Sequence, residues 1–408
     1  MTNAKSAHKT MLKIGILAVS LMIQAASAIS VAVTGMTKSF SGHSATSVQA
    51  LVTIPSFSIM LFILISNWII RVIGKRNTVF LGTVIALVGG IGPAFTTNFL
   101  VIEILRFLFG AGTGIYTSLC VSLIGDSFDG DEQRNLLGLQ SAIATFGSSL
   151  ATFVAGLLVG ISWQSTYLVY FMLLPVIILF AIGYPKSSKA GDNSESDQEK
   201  TTTVADKASH KLPLMVIIGV LILFVYFNTI MALYTNSGLA LQQMNMNGQG
   251  MLGTSLAAAG LIGGVITMMY GPIYKALKHA TPIVVCLLGA VGFFGMANAS
   301  NMWIFTICIV LVTATTLLVP YVYGVIMDSV PENSKNFAIS TAMVLNNLGA
   351  YFSPYTLSFL GKMFNHTDPV ASFVICAGIM VVLAVVLMLV LMGRSTKKVD
   401  KKDVTVAK

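Results

Sequence analysis

Two charged side chains, Glu103 and Arg106, stand three residues apart inside an otherwise apolar stretch that begins at Phe99. A glycine run follows at Gly110, Gly112 and Gly114, and then a polar, acidic loop from Asp126 to Arg134. In a bilayer a central charge costs about 2.5–3.5 kcal/mol on insertion scales, so an ionisable pair there points to a functional site. Burial and a neighbouring guanidinium pull an acid in opposite directions, which is what a proton-coupling site requires. Glu103, with Asp126 at the membrane edge, is therefore the expected proton-coupling set. Arg106 has two readings: an ion pair with Glu103 supported by backbone carbonyls, or a direct contact with the carboxylate of a solute.

The elements that must position this pair are membrane spans. Of the 408 residues, 55% are hydrophobic and 10% charged, against about 25% charged in soluble domains. The apolar runs are continuous and about 20 residues long, the pattern of helices rather than of a closed barrel. Twelve spans are expected at 12–35, 46–70, 78–97, 99–124, 136–160, 163–184, 213–236, 249–270, 281–299, 302–327, 337–361 and 369–393. The N-terminus imitates a secretory signal, but its apolar run continues to Val33 and reads as the first span.

The net charge of +9 reports topology, not a nucleic-acid partner. Of the 24 Lys and Arg, only Lys38 and Lys362 fall on one set of alternating loops, and Arg106 lies within a span. The rest fall on the other set and on the termini, which the positive-inside rule places in the cytoplasm. The polar insertion 185–212 is a flexible linker by composition. It divides the chain into a bundle at 1–184, a second bundle at 213–393 and a basic tail at 394–408.

Four stretches resemble the major facilitator superfamily of 6+6 helical secondary transporters. Gly74-Lys75-Arg76 matches the end of that family's loop signature after span two, although Asn67 and Arg71 replace its first Gly and its Asp. Arg106-Phe-Leu-Phe-Gly110-Ala-Gly112 is similar to its R-x-x-x-G-x-G motif in span four. The segment from Asp126 through Arg134 to Gly138 resembles its next loop, and Trp163 opens span six as the family does. The Gly-Pro signature of its drug/proton antiporters is replaced by Gly147-Ser148. The resemblance implies an all-α fold of two pseudo-symmetric six-helix bundles working by alternating access. Spans one, four, seven and ten would line a central cavity, and Arg71, Gly74, Lys75, Arg76, Gly110 and Asp126 would act in gating.

Helical spacing places polar stripes on those spans. The expected solute-binding set is Gln24, Arg106, Thr113, Asn228, Tyr234, Tyr323, Asn346 and Asn347, with helix packing as the competing reading for the amides. The set has one Arg, aromatics and neutral amides but no cluster of embedded acids, so a small amphipathic organic solute, neutral or anionic, is expected. No H-E-x-x-H, Ser/His pair within spans, Cys/His cluster or phosphate-binding G-x-x-x-x-G-K-[ST] is present. The expectation is thus a proton-coupled secondary transporter of the plasma membrane, monomeric, with both termini cytoplasmic. It is no enzyme, takes no cofactor or metal, and has the bilayer, protons and its solute as partners. The alternatives are a drug/proton antiporter, a membrane sensor or a channel.

Overall fold

In the computed structural model of the chain, which describes residues 2–184, 213–246 and 249–406, all regular elements are helical. The expected linker 185–212 lies outside the described residues. The first span starts as α1 (Thr2–Val19), passes through 3₁₀ turns at Ser20–Met22 and Ala25–Ala32, and ends as α2 (Val33–Ser39). It is followed by α3 (Ala45–Ile91), α4 (Phe99–Ser127), α5 (Gly130–Leu158), a 3₁₀ stretch Gln164–Met172 and α6 (Leu173–Gly183). The second part holds α7 (Leu214–Gln243), α8 (Gln249–Met268), α9 (Tyr270–Leu277) and α10 (Thr281–Ala297). Next come α11 (Met302–Thr313), a 3₁₀ turn Ala314–Leu317, α12 (Leu318–Asp328), α13 (Glu332–Met363) and α14 (Pro369–Val406).

Helix starts coincide with side-chain caps. Ser44 Oγ accepts from the Ser47 amide at 3.1 Å, Asn98 Oδ1 from Leu100 at 3.0 Å, and Asn301 Oδ1 from Ile304 at 3.0 Å. Each meets amide groups that a helix N-terminus leaves unpaired. Helix α3 carries two expected spans, separated at Gly74, whose φ of 77° lies in the left-handed region open to glycine. This places the turn at the matched loop signature.

Nine helices among the described residues are long and apolar enough to cross a membrane, or ten if the bent pair α9–α10 counts as one span. One of them runs from Ala45 to Phe95 and so contains two expected spans, and the 32-residue α13 falls outside the set. The expected count of twelve thus goes beyond what length and apolarity alone deliver. Helix α14 continues through the basic tail to Val406.

The buried apolar side chains form two clusters. One is built from residues between Ile16 and Tyr184, the other from residues between Val216 and Leu387. Val31 and Ala155 of the first half join the second core, and Leu239 of the second half joins the first. Lys9, Lys13, Lys75 and Arg76 pair at one end of the first half, called here the basic end. The turns near Phe40, Phe95 and Ser162 mark the opposite end.

Candidate functional site

The centre of the first span is broken, and the break is held from three sides. Gln24 leaves helical geometry at φ −102°, ψ 9°, and the following eight residues wind as 3₁₀. Three successive carbonyls there each accept a side chain from a different element. Ser148 of α5 donates to Gln24 O at 3.0 Å, the Tyr170 hydroxyl to Ala25 O at 3.1 Å, and Arg106 Nη2 to Ala26 O at 2.7 Å. Side chains inserting into the backbone ladder are a recognised cause of helix kinks. Gly147 lies against the Leu21 carbonyl so closely that a Cβ there would overlap it. The Gly147-Ser148 pair, which replaces the antiporters' Gly-Pro, therefore docks the broken span.

Arg106 is fully buried and spent on this scaffold. Besides Ala26 O, its Nε donates to Leu51 O of α3 at 2.8 Å and its Nη1 to the Tyr170 hydroxyl at 3.0 Å. The guanidinium lies 5.0 Å from the Phe109 ring centre and 5.8 Å from that of Tyr170. A planar fork with five donors suits carbonyls converging from several helices. The expected ion pair with Glu103 does not form, because the fork is drawn across to α3 and the first span. The expected contact between Arg106 and a solute does not fit this geometry either.

Glu103 corrects a second expectation. Helix α4 begins at Phe99 behind the Asn98 cap, so Glu103 sits only about one turn inside the opposite end. It is half-buried and lines a pocket there with His43, Asn98 and Tyr355, rather than standing at mid-depth.

The other expected stripe residues of α4 pack against neighbours. Thr113 is buried and donates to Phe109 O at 2.9 Å, so it is not presented to a solute. A Cβ on Gly110 would run into Ser58 and the Pro55 backbone, which makes Gly110 a close-packing position.

The two halves meet along α5 and α8. Gly156 and Gly253 touch backbone to backbone: a Cβ on Gly156 would lie 2.7 Å from Gly253 Cα. About two and three turns further in, Ser149 faces Gly260 and Thr145 faces Gly264. This seam covers about 16 Å of α5 from the opposite end inward. Beyond it the helices part: Ser141 is exposed, and a Cβ on Gly138 would meet no atom within 4 Å. More ties join the halves near the opposite end. Gln49 Nε2 donates to Asn236 Oδ1 at 2.9 Å, Thr53 to Tyr351 O at 3.2 Å, and Gly238 packs on Thr34. The halves are thus joined at the opposite end, and the seam face of α5 is uncovered toward the basic end.

Among the expected binding residues, the Gln24 side chain is exposed at the break of the first span. Tyr323 and Asn346 come together, with Asn346 Nδ2 donating to the Tyr323 hydroxyl at 2.8 Å. Asn346 Oδ1 is buried and has no partner. Tyr234 is half-buried against the second core. Asn347 is half-buried and donates to Met343 O one turn back. Asn228 departs from expectation: it is buried and ties α7 to α13 by donating to Gly349 O and Thr356 Oγ1, each at 3.1 Å. Tyr170 and Gln49 were not among the expected residues. Gln49 carries a signal, a lone amide in the apolar run opening span two; Tyr170 does not, because only the broken carbonyls give its hydroxyl a role.

At the basic end, Lys75 pairs with Asp126 at 2.6 Å across the turn at Gly74. Arg76 donates to Tyr184 O at 2.8 Å and covers the Phe80 ring, while Arg71 is exposed. Lys9 and Lys13 close on Glu132 at 2.7 and 2.6 Å. These contacts join α1 to α5, and α3 to α4 and to Tyr184 at the end of α6.

A family model described as Major Facilitator Superfamily matches residues 15–354 and 283–407. The isoprimeverose transporter of Lactiplantibacillus pentosus is 30% identical over 101 residues, which is 24% of this chain and 21% of that protein. The xylose transporter XylE from E. coli, solved in a partially occluded inward-open conformation, aligns with a TM-score of 0.69 at 17% identity. That alignment covers 93% of this chain and 98% of that one. A nucleoside transporter aligns with a TM-score of 0.74 at 10% identity, covering 93% and 99%.

Proposed function

The chain belongs to the Major Facilitator Superfamily, and on that premise we propose that it carries a small, neutral, hydroxyl-rich organic solute by alternating access. It is a multi-pass membrane transporter with a small-molecule substrate, not an enzyme. The observation that carries the solute class is the disposition of charge. The one Arg within a span is consumed by carbonyls and a phenol, while Gln24, Asn346 and Tyr323 offer uncharged donors and acceptors. Neutral amides and hydroxyls suit sugars or nucleosides, and a site built to hydrogen-bond a hydroxyl rejects analogues that lack it. The partial match to an isoprimeverose transporter supports the same class.

In this reading the chain forms twelve spans in two six-helix bundles joined by the 185–212 segment, and acts as a monomer. The basic end is cytoplasmic at the plasma membrane, as the charge asymmetry of the loops favours. The seam at the opposite end then makes this an inward-facing state, and transport rocks the halves about α5 and α8. A proton-coupled cycle would use Glu103 or Asp126.

The test is solute uptake into proteoliposomes with and without an imposed pH gradient, using D-xylose, isoprimeverose, a nucleoside, an organic carboxylate and a cationic dye. Saturable uptake of a neutral polyol is expected, and uptake of only the carboxylate or the dye overturns the solute class. Gradient-independent kinetics would remove proton coupling, and gradient dependence unchanged in both Glu103→Gln and Asp126→Asn would remove these two acids as its carriers.

A further inference from the structure

A cavity of about 650 Å³ opens at the opposite end of the molecule, outside the seam that joins the halves. Its wall draws on both halves: Phe40 and His43 after the first span, Phe99 and Glu103 at the head of α4, and Tyr355 of α13. The central cleft proposed for the solute lies on the other side of the seam, so solute binding leaves this cavity without a role, and the transport reading uses only its Glu103, as a candidate for proton coupling.

The cavity combines one negative charge with rings. Glu103 is half-buried and makes no ion pair among the described residues. Its helix does not need it as a cap, since Asn98 Oδ1 already takes the amides of Leu100 and Val101 at 3.0 and 3.3 Å. Lys38 and Lys362 belong to the same end but are exposed and stand outside the lining. His43 stacks on Phe99 with centroids 3.9 Å apart and planes at 14°, and the Phe40 ring meets Phe99 at 5.4 Å in an edge-on contact. The phenol of Tyr355 closes the far side, next to Tyr351 at 5.7 Å.

A carboxylate without a counter-ion beside aromatic rings is the chemistry that recognises a cation carrying carbon. A calcium or magnesium ion takes about six or more oxygen ligands, and no group of three or more His, Cys, Asp or Glu that could hold a metal exists among the described residues. An organic ammonium ion needs only one carboxylate for its charge and a ring wall for its carbon.

We propose that this cavity binds a small organic ammonium ion and that the bound ion, reaching from Glu103 of one half to Tyr355 of the other, holds the opposite end shut. A ligand that touches both halves in one arrangement and not in the other shifts the population toward the first. The solute in the cleft and the cation at the mouth therefore act on one equilibrium from two sides. The closing action rests on the alternating-access reading; the binding itself does not.

The test uses the full-length protein and benzylammonium chloride, with sodium chloride at equal ionic strength as control. Binding is read as a rise in the thermal unfolding midpoint. Closure is read as the maleimide alkylation rate of Thr53→Cys, a buried position that ties the halves together near the opposite end; the four native cysteines are buried. Benzylammonium should raise the midpoint and slow alkylation about tenfold. Glu103→Gln should weaken binding about tenfold, the usual scale for losing a contact to a charged group. Glu103→Gln breaks no ion pair, and Glu103→Asp keeps the charge and should retain measurable binding. Tyr355→Ala should abolish the slowing.

No midpoint rise in the wild type, an equal rise in Glu103→Gln, or an equal rise with sodium chloride overturns the site. A rise with D-xylose and none with benzylammonium overturns the cation and makes the cavity a vestibule for the solute. Glu103-dependent binding with unchanged alkylation overturns the closing action. If no solute moves in proteoliposomes while Glu103-dependent binding persists, the transport reading has failed and the site has not.

Discussion

The first half of the molecule holds its broken span with a full charge, whereas the second half holds its polar interior with neutral amides. Arg106 fixes three elements at once through Leu51 O, Ala26 O and Tyr170. In the second half Asn228 joins α7 to α13, and Asn346 leans on Tyr323 with its carbonyl oxygen unpaired. A buried charge is costly to uncover, because desolvation and pairing are both large. A neutral amide exchanges a protein partner for a solute partner at little net cost. The first half thus reads as a rigid frame and the second as the half that can trade hydrogen bonds with its cargo.

Three substitutions would break or sharpen that contrast. Arg106→Leu should have the largest effect, stranding three acceptors at about 1–3 kcal/mol each, so that little folded protein survives purification. A wild-type unfolding midpoint in this variant would end the idea of a frame built on charge. Asn228→Ala should cost about 1–2 kcal/mol, since Gly349 O and Thr356 lose a neutral donor. Denaturation in detergent measures it, and a loss as large as that of Arg106→Leu would erase the difference between the halves. Asn346→Ala should change stability least, by under about 1 kcal/mol, but should raise the transport KM about tenfold, the scale of one neutral hydrogen bond. Unchanged KM would move the cargo away from the Asn346–Tyr323 pair.

The helical class, the positions of most spans and the turn at Gly74 were legible because apolar runs, basic loops and glycine record them directly. Asp126 was expected in gating beside Arg71, Lys75 and Arg76, and of these three it pairs with Lys75. The destination of Arg106 was not legible. It depends on carbonyls turned outward by the break at Gln24, and a stretch of Ala, Ser, Ile and Val winds as either helix without changing its hydropathy. The depth of Glu103 was misread for a different reason. Asn98 caps α4 and leaves Glu103 about one turn from that end, a depth that the length of an apolar run does not record. Gly110 and Thr113 show how a polar or small stripe misleads: the face they share meets α3 and the helix's own carbonyls.

The 3₁₀ stretch Ala25–Ala32 has a mechanical consequence. A 3₁₀ residue advances about 2.0 Å against 1.5 Å for an α-helical one, so eight of them carry about 4 Å of extra length. Rewinding that stretch would draw the ends of the first span together by that amount, against a hydrocarbon thickness of about 30 Å. The span therefore holds a reserve of shortening. Local winding would match the first span to a thinner bilayer, where other helices must tilt or bend the lipid around them.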